Sequence, residues 1–373
     1  MNSAVASPPL TQRWLTSAAL LLGSLVLTYA PLPGFRQTLV VVSGSELQEP
    51  LTVLETTFED QYPSIDLELE FQGSQDMIDR YKNNKNDFTP AVLIPASADF
   101  LAELTSDTGG EALIEGSPQA IVKTYLVAVV WPERATALFP DGQWSWSRIE
   151  AGLTADRRAW GAIGGQAQWG SFDFTMTDPT RSNSGQLTLA LWSRSHLGGG
   201  DLTAANVTTP AVLDLLSLVK RSLYQPARST DDLLQSFITQ GPNEADVAMV
   251  YESIALSRWS QASLNQGKAY QIFYPTPTME TVATAAIVRR NVDRKTTQAA
   301  QRFVEFLRQP AAQAVFIRYG FRPGAETIDM AGIPDSPWAQ NIPGVQIKLS
   351  PEPLPALPSA VIQPLVQAWE QVP

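Results

Sequence analysis

The chain has 373 residues, 44% hydrophobic and 17% charged, which is enough for two packed domains of roughly 150 residues each. Its 26 basic and 37 acidic residues leave a net charge of -11, which argues against nucleic-acid binding, since holding phosphate needs clustered Lys and Arg. With no cysteine and a single histidine, His196, the sequence excludes thiol nucleophiles, disulfides and Cys- or His-rich metal sites, and no cofactor is expected.

In chain order, the first expected element is an export segment. Trp14 to Ala30 carries no charge, follows Arg13, and stops at Pro31-Leu32-Pro33-Gly34. That is a basic n-region, an apolar h-region and a break. Thr28-Tyr29-Ala30 loosely fits a cleavage site, but Pro31 after it disfavours processing. The reading is therefore an uncleaved membrane anchor, with a cleaved signal peptide as the alternative. Either one puts the rest of the chain outside the cytoplasm, in the periplasm or on the outer face of the membrane.

Strand and helix patterns then alternate. Thr38 to Val42 is a short apolar strand, and Leu47, Leu51, Leu54 and Phe58 follow at helical spacing. Ile65, Leu67, Leu69 and Phe71 alternate with Asp66, Glu68 and Glu70, a strand with one solvated face. A helix with Met77, Ile78 and Tyr81 comes next, then a strand at Ala91 to Ile94 and another short helix. Repeated units of this kind predict an α/β fold with a mostly parallel sheet. The pattern continues with strands at Thr124 to Trp131, Phe172 to Thr177, Asp246 to Tyr251, Ala269 to Tyr274 and Val282 to Val288. Helices are expected around Leu187–Trp192, Val212–Val219, from an N-cap at Thr230, and at Lys295–Arg308 and Pro310–Tyr319. From Glu326 the chain is rich in proline and reads as an extended wrap packed on the body, with one short helix near Ile362–Trp369.

Chemistry is expected in the loops after strands, where open α/β sheets bind ligands. Four of these are small and rich in hydroxyls: Ser43-Gly44-Ser45, Gln72-Gly73-Ser74, Ala96-Ser97 and Arg181-Ser182-Asn183-Ser184-Gly185. Small residues admit a ligand to backbone N–H groups, and helix starts add partial positive charge. Singly, each is also an ordinary turn or cap.

The sequence resembles the type 2 periplasmic solute-binding proteins of ABC importers. It sits near the molybdate- and sulfate-type binders and the binding regions found ahead of von Willebrand factor A domains. The resemblance rests on Val42-Ser43-Gly44-Ser45-Glu46-Leu47, Leu93 to Asp99, Thr177 to Gly185, Val250-Tyr251-Glu252 and Tyr319 to Pro323, in order over about residues 37–325. It implies a two-lobe fold with two hinge strands. The expected division is 1–34 for export or anchoring, 37–124 and 277–325 for the first lobe, 125–276 for the second, and 326–373 for the proline-rich extension. Hinges are expected near Tyr125–Val130 and Pro275–Val282.

The resemblance implies solute contacts from the four loops together with Tyr251 and Glu252. An oxyanion reading uses the serines as neutral donors, and Arg181 offers a fork suited to a carboxylate or oxyanion. Glu252, if it faced the cleft, would favour an ammonium group or a cation. Together the two suit a zwitterion or a metal complex, whereas an inter-lobe ion pair is the structural alternative for each. In the importer reading the partner is a membrane permease. The alternative is a membrane-tethered module recruiting a protein such as one with a von Willebrand factor A domain.

Other features have plainer readings. Trp144, Trp146, Trp160, Trp169, Phe172 and Phe174 are read as lobe core. Ser195-His196, in an expected loop, lacks triad geometry, and no nucleophile elbow occurs, so no enzymatic activity is expected.

Overall fold

The computed structural model describes residues 36–106, 113–324 and 328–373. The apolar segment at 14–30 lies outside them. Among the described residues no helix is long and apolar enough to cross a membrane.

The strands and helices run in the order β1 (Gln37–Ser43), α1 (Gln48–Gln61), β2 (Ile65–Phe71), α2 (Ser74–Lys82), β3 (Val92–Ile94), α3 (Ala98–Ser106) and β4 (Ile114–Val130). They continue with α4 (Pro132–Leu138), α5 (Trp146–Thr154), β5 (Phe174–Thr175), α6 (Asn183–His196), α7 (Pro210–Ser222) and α8 (Thr230–Gln240). Then come β6 (Val247–Tyr251), α9 (Glu252–Ser257), α10 (Trp259–Gln266), β7 (Gln271–Phe273) and β8 (Glu280–Val288). The last are α11 (Arg294–Leu307), α12 (Pro310–Arg318), β9 (Arg322–Pro323) and α13 (Ser359–Gln371).

The strand order is β2-β1-β3-β8-β4-β6-β5, with β7 and β9 also on β4. The expectation of a mostly parallel sheet needs correction. The pairs β1–β2, β1–β3 and β5–β6 are parallel, whereas every partner of β4 and the β3–β8 pair run antiparallel. The βα repeats set the parallel pairs; β4, antiparallel to β6, β7, β8 and β9, and the β3–β8 pair make up the rest.

Strand β4 organises the molecule. Ile114 to Tyr125 pair with β8, and Leu126 to Val130 pair with β6. One strand therefore passes from the first sheet into the second, changing partners between Tyr125 and Leu126. It begins ten residues before the expected Thr124. Gly116, Ser117 and Pro118 read as turn residues, and the pairing there carries a register shift that accommodates them. At the other extreme, the expected strand over Phe172–Thr177 shrinks to Phe174–Thr175, because only these two pair with β6.

Apolar side chains pack both sheets. Leu39, Val41, Leu51, Phe58, Phe303 and Phe316 form the core on one face of the first, while Val42, Met77, Ile78 and Leu93 pack on the other. The second sheet is wrapped in aromatics: Trp131 stacks on Phe237 at 4.7 Å, and Trp146 on Trp192 at 4.9 Å. Trp160 and Phe172 are fully buried in this core, and Trp144 and Trp169 pack at its edge. The proline-rich extension adds Trp338, Ile342, Leu365 and Trp369 to the same core. The Lys220 ammonium donates to the carbonyls of Trp369, Glu370 and Val372, closing the end of α13.

Two local expectations change. Ser229, not Thr230, caps α8, its hydroxyl accepting from the Asp232 N–H at 3.1 Å. His196 ends α6 rather than lying in a loop, with Nδ1 3.4 Å from the Glu150 carboxylate.

Candidate functional site

Five connections lie at the carboxyl ends of strands in the two sheets. Ser43 ends β1, Gln72 follows β2, Ala96 and Ser97 follow β3, Thr177 to Ser182 follow β5, and Glu252 follows β6. They meet across the sheets. The Asn183 side-chain amide donates to the Tyr251 hydroxyl and to Thr281 Oγ1, both at 3.0 Å. Thr281 belongs to β8 and in turn donates to the Ala96 carbonyl at 2.6 Å. Gly73 approaches the Arg181 carbonyl so closely that a Cβ would stand 2.9 Å from it. At the rim, Arg258 bonds Asp231 at 2.7 Å and reaches Glu49 on the opposite side at 3.1 Å.

Several residues expected to touch solute are instead committed to the fold. The Ser184 hydroxyl is fully buried among those of Thr177, Ser182 and Thr230, at 2.8, 3.1 and 2.6 Å. Gly185 is needed by packing rather than by ligand access: a Cβ there would lie 2.6 Å from the Thr177 carbonyl and 2.9 Å from Pro179. Ser74 accepts from the Ala96 N–H at 3.0 Å, tying two of the loops together. Ser97 accepts from the Asp99 N–H at 3.2 Å and donates to the Asp99 carboxylate, an ordinary helix-start arrangement.

Glu252 does not face the cleft. It is completely buried, gripped by Arg322 through two bonds of 2.7 Å, and accepts from the Tyr274 hydroxyl at 2.6 Å. Arg322 lies between the Tyr125 and Trp338 rings, 4.3 and 4.5 Å from their centroids. It also donates to the Gln346 and Ile347 carbonyls of the extension. Burial disfavours the Arg322 charge, yet the Glu252 carboxylate raises its pKa overall. The ion-pair alternative therefore holds for Glu252, and its partner lies 70 residues away.

What remains open is a cavity of about 500 Å³. It is lined by the expected Ser45, Gln72, Gly73 and Arg181, and by Glu70, Asp76, Arg80, Arg228, Asp231 and Asp232, which were not anticipated. Ser45 and Asp231 also border a second chamber of about 160 Å³ that includes Glu46, Ile254, Arg258 and Phe321. A third, of about 210 Å³, lies between Ser97, Asn183 and Leu187 on the body and Ile362 and Val366 of α13.

Three buried polar atoms at the ends of β1 and β2 have no hydrogen-bond partner: Ser43 Oγ, Glu46 Oε1 and Gln72 Oε1. Burial pushes the Glu46 carboxyl up to about 7, against the opposing pull of its own backbone N–H. Glu46 stands in the Val42–Leu47 motif but was not among the expected solute contacts. Its place directly after Ser-Gly-Ser was the signal available. Among the described residues no cluster of three or more His, Cys, Asp or Glu side chains is placed to hold a metal ion.

Solved structures share this architecture. A periplasmic thiamin-binding protein superposes with a TM-score of 0.61 at 15% identity, covering 91% of this chain and 96% of that one. The substrate-binding protein of an ABC transporter from Agrobacterium tumefaciens gives 0.61 at 13%, covering 91% and 95%. Iron-bound HitA from Pseudomonas aeruginosa gives 0.58 at 16%, covering 89% and 97%. At such identities these likenesses establish the two-lobe fold. No curated protein matches in sequence. The family model for bacterial extracellular solute-binding proteins matches residues 39–322, and the chain belongs to that family.

Proposed function

We propose that this chain captures a small polar solute between its two sheets, outside the cytoplasm, and delivers it to the permease of an ABC-type importer. The observation that carries this reading is the facing of the strand-end loops. Asn183 reaches Thr281 across the sheets, and Gly73 meets Arg181 beside a cavity large enough for a small molecule. In this reading the lobes are residues 37–124 with 277–325, and 125–276. They turn about the partner change at Tyr125–Leu126 in β4 and about the connection from Tyr274 to Glu280. Closure of two such bodies around ligand is a hinge motion. The apolar segment at 14–30 would serve export and hold the protein at the outer face of the membrane. The site offers binding groups without the nucleophile–base pairing of a hydrolase, which favours capture over catalysis.

Native mass spectrometry of the exported chain, purified without unfolding, tests the reading. A discrete small-molecule mass that leaves on unfolding supports it. A chain that carries none, and that no solute from its own growth medium stabilises, contradicts it.

A further inference from the structure

We propose that the solute carries a protonated amine, received by the Glu46 carboxylate. This deepens the capture reading and rests on it. The argument begins with the unpartnered atoms. Ser43 and Gln72 end neighbouring strands, the Gln72 N–H donating to the Ser43 carbonyl at 3.0 Å, and Glu46 follows Ser43 by three residues. The Gln72 NH₂ donates to Asn86 Oδ1 at 3.3 Å, and Gln72 Oε1 has no partner among the described residues. Glu46 Oε1 is in the same condition, and a carboxylate can only accept. Buried polar groups are ordinarily paired, so these acceptors call for a donor from outside the chain. An ammonium group supplies three N–H donors.

Among the described residues no cation pairs with Glu46. Arg258 on the same chamber wall is committed to Asp231, Glu49 and Gln235. The other charged or titratable groups packed about Glu46 are Glu49, Asp231, Tyr251 and Tyr319, none of which supplies positive charge. Gly44 makes the placement possible: a Cβ there would stand 2.4 and 2.6 Å from the two Glu46 carboxylate oxygens. The adjoining cavity adds Glu70, Asp76, Asp87 and Asp232 against Arg80, Arg181 and Arg228, an acidic surround that favours a cation. A divalent metal would need more oxygen ligands than the single Glu46 carboxylate.

The test uses ethanolamine and choline, which share a skeleton and a charge but differ in N–H donors, with sulfate and calcium as further probes. Titration calorimetry should show ethanolamine binding at pH 8, with choline at least tenfold weaker and sulfate and calcium silent. Glu46→Gln should weaken ethanolamine at least tenfold, and Gly44→Ala, which displaces the carboxylate, should do likewise; circular dichroism checks that both fold. Below pH 7 affinity should fall as Glu46 takes up a proton. The proposal is overturned if ethanolamine does not bind, if choline matches it, or if Glu46→Gln and Gly44→Ala bind it like the parent. Binding of sulfate or calcium unaffected by Glu46→Gln also overturns it. A retained solute without an N–H donor would sink this inference while leaving the capture reading intact.

Discussion

Gly73 and Arg181 meet backbone to backbone where the loops of the two sheets face each other, with room for hydrogen but not for a methyl group. Glycine is needed there for space alone, since its φ of -60° suits any residue. In the capture reading proposed above, closure of the lobes depends on this one position.

Gly73→Ala should therefore penalise the closed arrangement and leave each sheet's core untouched. Overpacking of this kind costs about 1–3 kcal/mol, which is roughly five- to 150-fold in solute affinity. Calorimetry with the retained solute, alongside urea unfolding, checks it. The account expects weaker binding at nearly unchanged stability.

The buried pair of Glu252 and Arg322 makes the opposite prediction. Removing one member of a buried ion pair typically costs about 3–5 kcal/mol, because the other is left charged and unpaired. Arg322→Met should lower stability by that order in urea unfolding and should also loosen the extension, which loses two bonds to Arg322 at Gln346 and Ile347. Limited proteolysis after Pro343 would register the loosening.

Gly185→Ala and Ser184→Ala should destabilise rather than abolish binding. The first drives a methyl into the Thr177 carbonyl and Pro179, and the second removes the centre of a buried four-hydroxyl cluster. Losses of about 1–3 kcal/mol are expected in thermal or urea unfolding. Affinity should change much less than for Gly73→Ala.

Glu46 gives the solute-free protein a pH dependence. Its folded-state pKa is raised to about 7 from 4.5, so the stability it contributes is fully present below pH 4.5. That contribution is lost as pH rises through 7, by up to about 3 kcal/mol. Glu46→Gln should be more stable than the parent at pH 8, with the difference shrinking towards pH 4.5. Urea unfolding at the two pH values reads it directly.

The alternating apolar pattern of Ile65 to Phe71 and the Ser-Gly-Ser turn after Val42 were enough to place strands and their loops. Their periodicity comes from burial on one face, which is a local property. The roles of Glu252 and Ser184 were not legible for the converse reason. Arg322 and Thr230, which satisfy them, are 70 and 46 residues away and reach them only through the fold. Strand β4 was half hidden because Gly116 and Pro118 suppress the strand signal where a register shift tolerates them. Glu46 went unassigned because an acidic residue ahead of an amphipathic helix reads as solvent-facing. The burial of its Oε1 in the folded chain shows that it is not.

Small-angle scattering of the exported chain, first stripped of solute by unfolding and refolding and then given the retained solute back, tests capture by closure most directly. The account predicts a smaller radius of gyration on addition, and little or no such change in Gly73→Ala at the same solute concentration. A solute that raises the melting temperature while leaving the scattering curve unchanged, and that binds Gly73→Ala as tightly as the parent, would contradict it.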